Sequence, residues 1–264
     1  ETWHPVDSSV DGAATTSTAG VHMPARILGE VPVAEDGSVY ATVPSNTPFR
    51  VQYLDKNRMV VGRQHNRWLY VYPGEHFQQA TKRELYTQQC GKCHGAVSGN
   101  PSDITTPPDV TTSASTTLAR YENRNLLEPK DPVDLGEQTR RTVDFASDVQ
   151  PILDRRCNGG TCHGSNSPAA GVDLSATPTE HYSTAYEELL AAGEGSGGGN
   201  RYVDAASGRA RTSHLVEIVR GEEFDAPKSI AGHPSVEVPD DEVLTIVRWI
   251  ETGAHYEVSE TDGR

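Results

Sequence analysis

The chain has four cysteines, and all of them lie in two short stretches that each end in histidine: Cys90-Gly91-Lys92-Cys93-His94 and Cys157-Asn158-Gly159-Gly160-Thr161-Cys162-His163. The first is the C-x-x-C-H signature of covalent c-type haem attachment, in which two thiols bond to the porphyrin vinyl groups and the next histidine becomes an axial iron ligand. The spacing has a mechanical basis. Cysteines at i and i+3 lie on one side of a helical turn, and a histidine at i+4 points the same way. The second stretch places four residues between its cysteines. On an ideal helix, positions i and i+5 diverge by roughly 140°, so this loop is expected to bulge at Asn158-Gly159-Gly160, where glycine makes a bulge cheap.

Two other chemistries use cysteines in pairs. Disulfides suit a secreted chain, but they do not call for a histidine after each pair. Structural zinc does use histidine and cysteine together, yet pairs so far apart in sequence, with a histidine abutting each second cysteine, fit zinc ribbons poorly. The residues therefore predict two covalently bound haem c groups, with Cys90, Cys93, Cys157 and Cys162 as thioether donors and His94 and His163 as proximal iron ligands.

Elements must deliver these motifs. Gln78 to Cys90 has helical composition and leads into the first motif. Before the second, Ser147-Asp148-Val149-Gln150 reads as a capping box with Pro151 in the first turn, so a helix is expected from about Asp148 to Arg156. Further helices are expected over Ser183 to Ala192, Ser213 to Arg220 and Asp240 to Thr252. In the last, Val243, Ile246, Val247 and Ile250 fall at i, i+3, i+4 and i+7, and Gly253 stands where a C-terminal cap belongs. Five β-branched or aromatic runs precede all of these: Arg26 to Val33, Ser38 to Val43, Phe49 to Leu54, Met59 to Arg63 and Trp68 to Tyr72. Turn residues separate them, which predicts a small β-sandwich or barrel.

The fold class expected is therefore α+β and multidomain: a small N-terminal β-sandwich-like domain and a mainly α-helical cytochrome c-like domain. The boundaries are 1–24 for a flexible or partner-bound arm, 25–100 for the β-rich domain ending in the first haem site, 101–142 for a Pro/Ser/Thr-rich linker, 143–258 for the helical domain and 259–264 for a tail. At 264 residues there is room for about two ordinary domains. Aromatics are 6%, a thin apolar supply that two buried porphyrins would supplement. The net charge of -14 argues against a nucleic-acid partner and for basic redox partners. No segment approaches the ~20 apolar residues needed to cross a bilayer, and Glu1 reads as a processed, mature start.

The residues also resemble a known family. Gly29-Glu30-Val31-Pro32-Val33-Ala34-Glu35-Asp36-Gly37-Ser38, then Val43-Pro44, Leu54-Asp55, Trp68-Leu69-Tyr70 and Pro73-Gly74-Glu75 ahead of Cys90, are similar to the middle domain of hydrazine synthase alpha-subunit-like proteins. Val143 to Asp154, the second motif, Gly232-His233-Pro234-Ser235-Val236 and Trp249-Ile250-Glu251 followed by Ala254-His255-Tyr256 resemble that family's C-terminal cytochrome domain. The resemblance covers roughly residues 25 to 258. It implies haem attachment outside the cytoplasm, in the periplasm or beyond the cell. The family's proteins also carry a β-propeller ahead of this region that the present sequence does not contain. In hydrazine synthase a tyrosine soon after the first attachment histidine ligates the catalytic iron, whereas Gly95 to Asn100 holds none.

For the second haem, the resemblance implies His233 as distal ligand. For the first, His65 occupies the place where the family tends to have methionine ahead of an arginine and tryptophan. His22 and His76 are its alternatives, together with His4 supplied in trans from another subunit's arm. Filled axial positions and the missing tyrosine lead to an expected function: a di-haem cytochrome passing single electrons, in a homo-oligomer, a larger redox complex or an extracellular chain of haems. A haem enzyme or enzyme subunit with an open first haem is the first alternative. A docking subunit of a redox complex is the second.

Overall fold

The computed structural model describes residues 25, 27–33, 39–61, 68–76, 116–117, 142–159, 162–191, 202–205 and 208–257. These fall into two compact units. One holds 25, 53–61 and the described residues from 142 onward; the other holds 27–33, 39–52, 68–76 and 116–117. The segment 53–61, which the sequence places with the strand runs, thus groups with the C-terminal unit.

In the N-terminal unit, β1 (Ala41–Thr42) pairs in parallel with β2 (Thr116–Thr117), Ala41 opposite Thr116. Phe49 and Leu69 form an antiparallel bridge, exchanging N–H···O bonds of 2.9 and 2.7 Å. Asn46, at φ 55, turns the chain so that its own N–H reaches Val71 O and its Oδ1 accepts from the Tyr70 hydroxyl. A short polar side chain tolerates that left-handed backbone better than a branched one would. Of the five expected strand runs, residues 26, 38, 62 and 63 lie outside the described residues, as do the helix expected from Gln78 and the whole first haem motif.

The C-terminal unit is helical. A five-residue π-turn (Phe145–Val149) leads directly into α1 (Gln150–Arg156); α2 (Thr184–Leu190), α3 (His214–Arg220) and α4 (Asp240–Glu251) follow. The cap in front of α1 differs from the sequence expectation. Asp144, not Ser147, is the N-cap: its Oδ1 accepts from Ser147 N–H at 2.8 Å, and Asp148 Oδ2 accepts in return from Asp144 N–H at 3.0 Å. The wider π-turn moves the reciprocal partner from the third to the fourth residue after the cap. α3 ends where Gly221 adopts φ 66, a conformation that costs glycine little.

The apolar stripe of α4 packs as expected. Val243, Ile246, Val247 and Ile250 are buried together with Trp249, Phe145, Leu153, Tyr186 and Leu189 in one core. Each such side chain removed from water stabilises the fold by about 1.5–3 kcal/mol. Phe145, Tyr182, Tyr186, Trp249 and Tyr256 pack together at centroid distances of 5.0 to 6.4 Å, mostly edge-on or tilted, with Phe145 and Tyr256 stacked. The chain after α4 is stitched in by main-chain acceptors. Ala254 O takes the Tyr186 hydroxyl, while His255 O takes both Phe145 N–H and Trp249 Nε1–H.

Residues 53–61 form a tight hairpin inside this unit. Asp55 Oδ1 accepts from Asn57 and Met59 N–H, Leu54 and Val60 bridge antiparallel, and Met59 is fully buried in the helical core. Val60 N–H donates to Glu251 Oε1 at 2.7 Å, and Asp55 pairs with Arg211.

Candidate haem site

α1 delivers the second motif. Its last turn carries Cys157, whose N–H closes on Leu153 O at 2.7 Å, and the chain then leaves the helix. Asn158 fixes the departure, donating through Nδ2 to both Asp154 Oδ1 and Leu174 O. Gly160 and Thr161 lie outside the described residues, but both ends of the loop are placed. Cys162 N–H bonds to Gly159 O, and His163 N–H returns to Cys157 O at 3.0 Å. The attachment histidine thus returns to the first cysteine's carbonyl despite the two extra residues between the cysteines.

A second layer of main chain clamps the histidine. Ala169 N–H bonds to Cys162 O at 2.7 Å and Leu174 N–H to His163 O at 2.8 Å. Between them Ala170 takes φ 54, folding the chain back sharply enough to aim Val172 O at the imidazole. His163 Nδ1 lies 3.0 Å from that carbonyl. A carbonyl can only accept, so Nδ1 carries the proton and Nε2 keeps its lone pair for a metal.

The segment between α3 and α4 supplies the other ring. His233 and His163 stand with ring centroids 6.1 Å apart and planes within 11° of parallel. His233 Nδ1 donates to Pro234 O at 2.7 Å, which leaves its Nε2 in the same state. Two metal–imidazole bonds of roughly 2 Å each, added to the offsets of the two ring centres, separate the centroids by roughly 6 Å. The observed spacing matches that value and is wide for ring faces in direct van der Waals contact. Cys157 and Cys162 are both free thiols, the state thioether formation requires. Burial, with a smaller contribution from the Cys162 charge, pushes the Cys157 thiol up to about 11. The residues present fit a covalently attached haem with histidine on both faces. Among the described residues no cluster of three or more His, Cys, Asp or Glu forms a metal site, and a porphyrin, which supplies four nitrogens itself, asks the protein for only two.

The first haem's residues are placed less fully. Cys90, Cys93, His94, His65, His22 and His4 lie outside the described residues, and His76 is exposed. Sequence reasoning passed over Glu217 and His214. Glu217 is a fully buried carboxylate on α3, and its signal is a lone acid in the apolar run Leu215-Val216-Glu217-Ile218-Val219. His214, one turn earlier, stacks on Tyr202 at 6.1 Å, and burial holds its imidazole below the usual range.

Comparison with known proteins places this geometry in context. Residues 3–80 match the family described as the hydrazine synthase alpha subunit middle domain. The hydrazine synthase subunit alpha of Kuenenia stuttgartiensis is 27% identical over an alignment spanning 93% of this chain and 35% of the relative. The chain therefore spans about a third of the length of the curated relative it matches. The solved Kuenenia stuttgartiensis hydrazine synthase aligns with 80% of this chain and 30% of its own, at 26% identity and a TM-score of 0.48. The chain resembles hydrazine synthase alpha-like proteins along nearly all its sequence.

That likeness corrects the functional expectation. Over 93% of this chain the similarity lies with the alpha subunit of hydrazine synthase, which overturns the expectation of a free-standing single-electron carrier. The carrier reading leaned on the missing tyrosine in 95–100. One absent side chain speaks to one ligand only, and an open iron position needs no side chain there.

Proposed function

We propose that this chain is the haem-bearing part of a hydrazine synthase alpha-like enzyme subunit, with two covalent haem c groups and with the substrate-binding iron at the first motif. The His163–His233 pair carries the assignment of roles. With both faces of the second haem taken by histidine, substrate binding falls to the Cys90–His94 haem. Haem iron supplies one-electron redox chemistry and, where an axial position is open, binds a small nitrogen compound.

The protein's own contribution at the second site is to hold and orient. The Cys157 and Cys162 thiols would form the thioether links. The carbonyls of Val172 and Pro234 fix the two imidazoles in the Nδ1–H tautomer, which would leave each Nε2 lone pair for the iron. At the first motif, Cys90 and Cys93 would attach the other porphyrin and His94 would bind its iron. The remaining subunits of a redox complex are the natural partners, and the compartment is outside the cytoplasm, where such attachment takes place. No described helix is long and apolar enough to cross a membrane.

Purified holoprotein tests this reading. Pyridine haemochrome analysis is expected to give two haem c per chain. The ferric spectrum should contain a low-spin part that is inert to added ligands and a high-spin part that shifts with nitric oxide or cyanide. Two inert low-spin haems would contradict it.

A further inference from the structure

His233 lies midway along a strap, residues 221–239, that joins α3 to α4. The strap has almost no regular structure of its own, yet the imidazole must be held within a few tenths of an ångström to stay on an iron. α3 supplies the hold. Glu217 is 1% exposed and faces the root of the strap, where its Oε1 accepts from Phe224 N–H at 2.6 Å and from Ala226 N–H at 3.0 Å. Residues 224 and 226 are thus gripped together by one side chain of α3. The outer half of the strap is exposed and closed by its own contacts: Glu223 Oε1 takes Ser229 Oγ and Ile230 N–H, and His233 N–H bonds to Ile230 O.

We propose that Glu217 is a positioning residue for the distal haem ligand: its buried carboxylate sets the strap so that His233 meets the iron opposite His163. This rests on the proposed ligation of the second haem by that pair. The carboxylate is otherwise hard to explain. Burying an acid in an apolar helix face is costly, its Oε2 has no hydrogen-bond partner, and the nearest basic atom, His214 Nδ1, is 3.9 Å away. Two strap N–H groups converge on the other oxygen, and an apolar side chain there would leave both unpaired.

The test compares the ferric holoproteins of wild type, Glu217→Ala, Glu217→Gln and His233→Ala by absorption and electron paramagnetic resonance, with far-UV circular dichroism as the check on folding. Glu217→Ala is expected to gain a high-spin population resembling that of His233→Ala, reversed by added imidazole. It should bind cyanide at the second haem at least about tenfold faster than wild type, the range that loss of a buried acceptor implies. Glu217→Gln keeps an oxygen for Phe224 and Ala226 and should stay near wild type. A folded Glu217→Ala protein that remains low-spin, with cyanide binding within about twofold of wild type, overturns the proposal. If Glu217→Ala does not fold, Glu217→Asp replaces it, since its shorter side chain keeps the charge and loses the reach. Should that also fail to give folded holoprotein, Glu217 is a core residue and the proposal is overturned. Were His233→Ala itself to keep the wild-type low-spin signal, the ligand assignment would fall instead.

Discussion

The two histidines of the second site are held in opposite ways. His163 is fixed almost wholly by main chain: its N–H to Cys157 O, its O to Leu174 N–H, its ring to Val172 O, all within the eighteen residues from Cys157 to Leu174. His233 rides a long strap pinned by the side chain of Glu217 and, through Arg211 to Asp225, the rim of the unit. A backbone clamp depends on chain direction and tolerates most nearby side-chain changes. A side-chain clamp fails when one residue is altered. On the proposed ligation, the proximal ligand would be built to stay, and the distal ligand would be the one that mutation or conformational change can release.

The largest effect should come from removing the backbone-held ring. His163→Ala is expected to abolish the low-spin signal of the second haem, and imidazole should restore it only partly, because the vacated site lies inside a closed loop. Quantitative electron paramagnetic resonance measures this directly; full restoration would show that the clamp adds nothing to the ligand.

Next in size is a pH effect at Glu251, which lies away from both histidines and couples α4 to the 53–61 hairpin. Burial raises this carboxyl to about 8 despite the opposing Val60 and Ala210 N–H bonds, with Asp55 raising it further and Arg209 opposing. The folded state thus prefers the protonated form. The stabilisation is complete below the ordinary carboxylate value of 4.5 and is lost as pH rises toward about 8. Urea midpoints should fall across that window in wild type and stay level in Glu251→Gln, whose amide oxygen can still accept from Val60. A wild-type midpoint that is flat with pH would remove this contact from the account.

Ala170→Gly should be smaller and of opposite sign. Alanine at φ 54 is strained by about 1 kcal/mol relative to glycine. Part of the relief is offset by the extra freedom glycine gives the unfolded chain, so Tm is expected to rise by a degree or two, on the order of 0.5 kcal/mol. A fall in Tm would mean that the Ala170 methyl contributes contacts worth more than the strain. Smallest of all is Glu223→Ala. Its carboxylate bonds are exposed, and neither stability nor the haem spectrum should move beyond about 0.5 kcal/mol. A spectral change as large as that of Glu217→Ala would relocate the strap's anchor to its outer half.

What the sequence disclosed divides along the same line. The four helices of the C-terminal unit were legible because each is written locally, in caps and a 3.6-residue period. The cap before α1 was misplaced by three residues because a π-turn leaves no mark in a search for α-helical spacing. His233 was reached through family resemblance, since nothing in its spacing from Cys157 reveals that a strap returns it to His163. Glu217 stood in plain view as an acid inside Leu215-Val216-Glu217-Ile218-Val219, but its partners are backbone N–H groups, and every residue has those. Met59 shows the same limit. It reads as one strand residue among many, and its burial in the helical core depends on a long-range return of the chain that no local pattern encodes.

The account turns on two histidines sharing one iron, and near-infrared magnetic circular dichroism of the ferric holoprotein tests that most directly, because the energy of the low-spin charge-transfer band reports the axial pair. A bis-histidine band is predicted for wild type and should disappear in His233→Ala with the second haem still covalently attached. The same band at undiminished intensity in His233→Ala would contradict the account.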